Sequence, residues 1–175
     1  MRSGTPIVLI GFMASGKTTV GRLVAERLQR RFLDLDHLVE ETAGMKVADL
    51  FRTRGEPAFR KAEAEALDGA LKQDNVVLAT GGGAACREDN LRAMLASGYV
   101  VALSAPPAEV LKRTGGASGR PLLDGAADPL AEAQRLLAER EPFYARAHLR
   151  VDTAGKEPTA VATEIVDAVR QEGRS

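Results

Sequence analysis

Ile7-Val8-Leu9-Ile10-Gly11-Phe12-Met13-Ala14-Ser15-Gly16-Lys17-Thr18 decides the architecture of this chain. The first four residues are aliphatic and β-branched, bounded by Pro6 and Gly11, and read as a short buried strand. Gly11 to Thr18 fits G-x-x-x-x-G-K-[ST] at every fixed position. Val20, Leu23, Val24 and Leu28 then fall at helical spacing, so a helix is expected over 17–30. Strand, glycine loop and helix in that order form a phosphate cradle. The glycines allow backbone to approach a ligand closely, consecutive N–H groups face its oxygens, and the helix adds its positive end. Lys17 can neutralise β- and γ-phosphates, and the Thr18 hydroxyl is a hard oxygen ligand suited to Mg²⁺. The stretch predicts binding of a nucleoside triphosphate.

The remaining segments alternate in the same way. Further strands are expected at Phe32-Leu33, 76–79, 99–103 and 149–151. Helices are expected at 37–44 and 46–53, parted by Gly44; then from Pro57 to about Lys72, at 89–97, up to Thr114, from Pro129 to about Ala147, and at about 158–170. Strands parted by helices imply βαβ units. The expected fold is a three-layer α/β/α sandwich around a five-stranded parallel sheet, one domain over 1–175. The glycine-rich stretch 115–128 is the one long irregular piece, which marks it as a functional or a disordered loop.

Composition removes several classes. The chain has 175 residues, 24 Lys plus Arg against 24 Asp plus Glu, one Cys and no Trp. Zero net charge gives no general attraction to nucleic acid or to an anionic membrane, so a polyanion site must be local. A single Cys excludes an internal disulfide and a Cys-based zinc site, and fits a cytoplasmic setting. No apolar run nears the ~20 residues of a membrane span. Aromatics, at 4%, are too few for base-stacking surfaces, and offer no hydrophobic patch for self-association, so a monomer is expected.

A phosphate loop alone does not name the phosphoryl acceptor. Asp34-Leu35-Asp36 follows the second strand. On an extended segment the two acids would face the same way, one toward Mg²⁺ and one toward a substrate hydroxyl, while Asp36 as a helix cap is the competing reading. Arg60 and Glu63 are one helical turn apart, so the acid could hold the guanidinium for a carboxylate ligand, or the two could form a solvated surface pair. Gly81-Gly82-Gly83 after a buried strand would bring bare backbone against a ligand, or make a plain turn. Two arginines on separate helices, Arg60 and Arg140, suit a small carboxylate acceptor, and Asp36 suits a hydroxyl nucleophile.

Gly11–Thr18, Asp34-x-Asp36, Phe59-Arg60-x-x-Glu63, Gly81–Gly83, Arg113-Thr114-Gly115-Gly116, Arg120-Pro121-Leu122-Leu123 and Arg140-x-Pro142-x-Tyr144 occur in one order across nearly the whole chain. In this the sequence closely resembles the shikimate kinases. The resemblance implies transfer of the γ-phosphoryl of ATP to the 3-hydroxyl of shikimate, with Mg²⁺, on the way to chorismate and aromatic amino acids. It implies that Lys17, Asp36 and Arg120 are catalytic. Gly11, Ala14, Ser15, Gly16, Lys17, Thr18 and Thr19 would hold the phosphates, with Arg113 and Pro158 flanking the adenine and Arg120 closing over the phosphates from a mobile lid at about 115–128. Asp36, Arg60, Gly81, Gly82, Gly83 and Arg140 would bind shikimate, with the substrate-binding helices at about 34–63. Thr18 and Asp34 would support Mg²⁺. Ala14 stands where many relatives carry Gly, and Thr18 replaces the more frequent Ser while keeping the hydroxyl.

His37, His148, Cys86 and Tyr99 are read as structural. The rival readings are a gluconate or other small-polyol kinase on the same scaffold, and a silent nucleotide-binding regulatory module. The second would be expected to lack Lys17, Asp36 or Arg120. No N/T-K-x-D segment for reading guanine occurs.

Overall fold

The structure, a computed structural model, describes residues 4–113 and 127–173. Five strands form one parallel sheet: β1 (Ile7–Gly11), β2 (Arg31–Asp34), β3 (Val76–Ala79), β4 (Tyr99–Ser104) and β5 (Leu149–Asp152), in the order β2-β3-β1-β4-β5. The helices are α1 (Lys17–Leu28), α2 (Leu35–Ala43), α3 (Val47–Leu71), α4 (Glu88–Ser97), α5 (Pro107–Arg113), α6 (Pro129–Tyr144) and α7 (Pro158–Glu172), with a 3₁₀ turn at Ala84–Cys86.

The central strands are buried on both faces, as parallel sheets require. Side chains of β1 alternate between two cores. Val8 and Ile10 join Leu35, Leu67, Leu91, Met94 and Leu136 on one face. Ile7 and Leu9 join Val20, Val24, Val161 and Ile165 on the other. Thus α1 and α7 cover one side and the remaining helices the opposite one, giving the expected three layers. Ile7 is level with both Val77 and Tyr99, so β1 sits between β3 and β4. The chain order reverses direction across the sheet at this strand, and ligands of such folds bind beyond the carboxyl ends of strands at that point.

Three local expectations are corrected. Asp34 is the last residue of β2 and caps α2, which begins at Leu35, so Asp36 lies in a first helical turn and not on extended chain. The capping acid is therefore Asp34, whose Oδ1 accepts from the Asp36 N–H at 3.1 Å. The segments expected at 46–53 and 57–72 run together as α3, interrupted at Gly55 (φ 77°, ψ 171°); Pro57 opens the second half, where its missing N–H costs nothing. Helix α6 stops at Tyr144, short of Ala147, and a turn delivers His148 to β5. Of the expected lid at 115–128, residues 115–126 fall outside the described residues.

Candidate active site

Beyond the ends of β1 and β3 lies a cavity of about 530 Å³, lined by residues of the Met13–Val20 stretch together with Asp34, Asp36, Thr80 to Gly82, Arg113 and Pro158. That volume suits a small-molecule ligand of nucleotide size. Its floor is the glycine loop. Gly11 has φ 138°, and a Cβ there would stand 2.2 Å from the Leu103 carbonyl oxygen, so only glycine lets β1 leave the sheet here. Gly16 precedes α1 with no side-chain cap, which leaves the first-turn N–H groups of Lys17, Thr18 and Thr19 facing the cavity. Ser15 is fully buried. Lys17, 8% exposed, folds over the loop, its Nζ 2.7 Å from the Phe12 carbonyl and 3.0 Å from that of Gly11. Ala14 is held at φ 54°, a left-handed conformation that glycine adopts at lower cost.

The hydroxyl of Thr18 donates to Asp34 Oδ2 at 3.0 Å. Asp34 thus uses one carboxylate oxygen on the phosphate-binding helix and the other on the first turn of α2. The same capping fixes Asp36, exposed and in the first turn of the helix, on the rim shared by the phosphate loop and Gly81. A Cβ on Gly81 would lie 3.0 Å from Asp36 Oδ1.

A second cavity, about 830 Å³, is lined by Arg60, Gly83, Cys86, Arg87 and Arg140 among others. Arg60 is gripped from its own helix: Nη1 donates to Glu63 Oε2 at 2.9 Å and Nε to Glu56 Oε1 at 3.1 Å. Glu63 is 1% exposed, so this is not a solvated surface pair. Burial pushes the Glu63 carboxyl up, and Arg60 pulls it back only in part. Burial also works against the Arg60 charge, but the bonds to Glu63 and Glu56 overcome it and raise its pKa. A guanidinium held by one helix leaves its outer edge for a ligand carboxylate. A Cβ on Gly83 would lie 3.2 Å from Arg60 Nη2, so the backbone passes directly against that edge.

Gly82 lines the first cavity and its neighbour Gly83 the second. The Gly82 carbonyl accepts from Tyr144 Oη at 2.6 Å and from Arg140 Nη1 at 3.4 Å. Arg140 also packs over the ring of Phe12, 5.3 Å from its centroid. The acceptor-side arginine therefore rests on the first side chain of the phosphate loop. Arg113, at the end of α5, donates to Thr153 Oγ1 (3.0 Å), to the Thr153 carbonyl (2.8 Å) and to the Ala14 carbonyl (3.4 Å). Pro158 opens α7 on the same side.

The structure thus brings the phosphate loop, Asp34, Asp36, Arg60, Gly81–Gly83, Arg113, Arg140 and Pro158 into one region. Arg120 and Pro121–Leu123 lie outside the described residues. Sequence reasoning gave no role to Phe12, Arg87, Tyr144 or Thr153; the Arg140-x-Pro142-x-Tyr144 pattern is the one signal that touched Tyr144. His37 is exposed in the first turn of α2 and pairs with Glu41, while His148 accepts the Val100 N–H through Nδ1 and stacks on Tyr99. Cys86 is half-buried and burial raises its thiol pKa, which disfavours a thiolate nucleophile. Among the described residues no cluster of three His, Cys, Asp or Glu could hold a metal, and no helix is long and apolar enough to cross a membrane.

Comparison with known proteins covers nearly the whole chain. The family model described as shikimate kinase matches residues 13–170. The shikimate kinase of Symbiobacterium thermophilum is 47% identical over 170 residues, 95% of this chain and 97% of that protein. That of Moorella thermoacetica is 46% identical, covering 94% of each chain. The solved structure of shikimate kinase from Acinetobacter baumannii in complex with shikimate matches with a TM-score of 0.90 at 36% identity, over 96% of this chain and 94% of that one.

Proposed function

The chain belongs to the shikimate kinase family, and from that premise we propose how its own residues carry the reaction. The enzyme transfers the γ-phosphoryl of ATP to the 3-hydroxyl of shikimate, giving shikimate 3-phosphate and ADP. One observation supports the residue assignment above others: buried Glu63 fixes Arg60 against Gly83 in a cavity that Arg140 also lines. This is a receptor for a small carboxylate, formed before any ligand arrives. Preformed positioning is most of what a phosphoryl transfer asks of a protein.

In this reading ATP lies along Gly11 and Ala14 to Thr19, with Arg113 and Pro158 at the adenine end. Lys17 gives its ammonium to the β- and γ-phosphates. Shikimate is held by its carboxylate on Arg60 and Arg140, with Gly81 to Gly83 against the ring. Asp36 orients the 3-hydroxyl and accepts its proton as the oxygen attacks γ-phosphorus. Arg120, on the lid at 115–128, closes over the phosphates and excludes water. The domain is single, with its substrate helices within about 34–63. The Thr18 hydroxyl and the Asp34 carboxylate, 3.0 Å apart, are hard oxygen donors and fit Mg²⁺, Asp34 through water. Bound there, Mg²⁺ would neutralise charge on the transferring phosphates. We read the chain as a cytoplasmic monomer that engages neither nucleic acid nor membrane. The balanced charge supports this, as does the scarcity of exposed large apolar side chains, Phe51 and Leu130 among the described residues.

The deciding experiment is a coupled ADP-release assay across shikimate, gluconate and nucleoside monophosphates. Turnover should depend on shikimate. Turnover with gluconate in its place would favour the polyol kinase, and none with any acceptor would favour a silent binding module.

A further inference from the structure

Tyr144 lies in neither of the groups assigned above, yet it bonds to Gly82, which lines the first cavity and precedes Gly83 of the second. It is 4% exposed, on the same helix as Arg140 and one turn beyond it. Its hydroxyl makes a 2.6 Å bond to the Gly82 carbonyl, across 62 residues of sequence. Gly82 is wedged in place: a Cβ there would stand 3.3 Å from the Met13 nitrogen, 3.5 Å from Arg140 Nη1 and 3.7 Å from the Gly11 carbonyl oxygen. The Gly82–Gly83 peptide is trans and planar, so its carbonyl and the Gly83 N–H point in opposite senses. Fixing the carbonyl on Tyr144 therefore fixes the N–H on the side away from Tyr144. Among the described residues that N–H has no hydrogen-bond acceptor, and Gly83 lines the acceptor cavity beside Arg60.

We propose that Tyr144 is a positioning residue for the acceptor: its hydroxyl sets the Gly82–Gly83 peptide so that the Gly83 N–H donates to the bound hydroxy acid, in register with Arg140. A glycine peptide has little torsional preference of its own. Without the Tyr144 bond, the carbonyl would keep, among the described residues, only the long contacts from Arg140 Nη1 (3.4 Å) and the Cys86 thiol (3.9 Å). The shared carbonyl also links Tyr144 to the Arg140 guanidinium, so one hydroxyl orients both a neutral donor and a charged one. Burial raises the Tyr144 pKa, which keeps the hydroxyl protonated and donating.

This inference rests on the acceptor site proposed above, and the test separates the two. Shikimate-dependent turnover by the wild-type enzyme is measured first; its absence would remove the acceptor reading itself. In Tyr144→Phe the ring is kept and only the hydroxyl is lost. The KM for shikimate should rise about 3–10-fold, the scale of one hydrogen bond. The KM for ATP should stay within about twofold and the melting temperature close to wild type. Amide exchange of the 81–84 segment, followed by mass spectrometry, should speed up in the variant. An unchanged shikimate KM, or an equal rise in both KM values, would overturn the proposal. Tyr144→Met is the packing control. If Tyr144→Phe matches wild type while Tyr144→Met loses shikimate affinity, the ring and not the hydroxyl matters, and the proposal fails. A Tyr144→Phe protein that binds neither ligand would equally make Tyr144 a folding residue only.

Discussion

Glu63 is buried to 1% exposure and its carboxylate accepts a 2.9 Å hydrogen bond from Nη1 of Arg60, whose side chain keeps 23% of its surface exposed. The acid is inside and the base is at the cavity wall. An arrangement of that kind spends buried charge on orientation, because an isolated buried carboxylate is unfavourable. Glu63→Gln should keep the fold and loosen Arg60. Losing a charge-assisted bond of about 1.5–3 kcal/mol predicts a shikimate kcat/KM lowered roughly 10- to 100-fold, with ATP affinity within about twofold. Steady-state kinetics in each substrate reads the split; parallel loss of both would contradict the assignment.

The same carboxyl predicts a pH effect. Its pKa is raised above the ordinary 4.5, burial outweighing Arg60. A raised acid pKa favours the protonated group in the folded state. Its contribution is fully present below about pH 4.5 and is lost as pH rises through the folded value. Glu63→Gln has no such titration. The melting-temperature difference, wild type minus variant, should therefore shift against wild type as pH is raised from about 4.5, and thermal melts across pH 4–8 read it. A flat difference would mean that Arg60 offsets the burial in full.

Asp34 holds Thr18 with one oxygen and the Asp36 N–H with the other. Asparagine caps a helix about as well as aspartate, so Asp34→Asn should melt near wild type. It loses the anionic oxygen suited to a divalent cation. Turnover should fall at least ~10-fold at limiting Mg²⁺ and recover in part at high Mg²⁺, as charge-based ligation requires. A Mg²⁺ titration of activity decides; an unaltered Mg²⁺ dependence would reduce Asp34 to a cap.

Asp36 is exposed on the first turn of α2, where a negative charge adds only about 0.3–1 kcal/mol through the helix dipole. Asp36→Asn should therefore leave the melting temperature nearly unchanged and cut kcat by ~10²-fold or more, an acid–base scale. Wild-type turnover would leave Asp36 as a first-turn acid and nothing else.

Ala14 sits at φ 54°. A left-handed alanine costs about 1–2 kcal/mol, and glycine at a suited site gives back about 0.4–1 kcal/mol in unfolded-chain freedom. Ala14→Gly should raise the melting temperature by about 1–4 °C without weakening ATP. Ala14→Val, branched at Cβ, should lower it. A fall with glycine would show that the loop is not strained at this residue.

Reading from Ile7 to Thr18 was enough to place β1, the phosphate loop and α1, because that motif carries its own geometry in adjacent residues. The alternation of strands and helices was legible for the same reason. The Asp34–Asp36 pair misled on conformation: two acids after a strand look alike whether the chain runs on or turns into a helix, and the deciding contact, Thr18 to Asp34, spans 16 residues. The Arg60–Glu63 spacing was visible, but its burial was not, since Glu63 is covered by packing that a helix taken alone does not show. Tyr144 was the least legible. Its partner is a backbone carbonyl 62 residues away, and a glycine carbonyl leaves no mark in sequence.

Lys17 already spends its ammonium on the carbonyls of Gly11 and Phe12. A triphosphate therefore meets a lysine with partners to give up, and binding is an exchange of oxygens rather than a fresh gain. The ammonium has left bulk water at the folding step, so that loss is not charged again when nucleotide arrives. Affinity at this residue then measures a difference between two sets of oxygens. The fall in ATP affinity on Lys17→Met reports that difference, and it understates how strongly the same ammonium can hold the transferring group once the loop carbonyls have let it go.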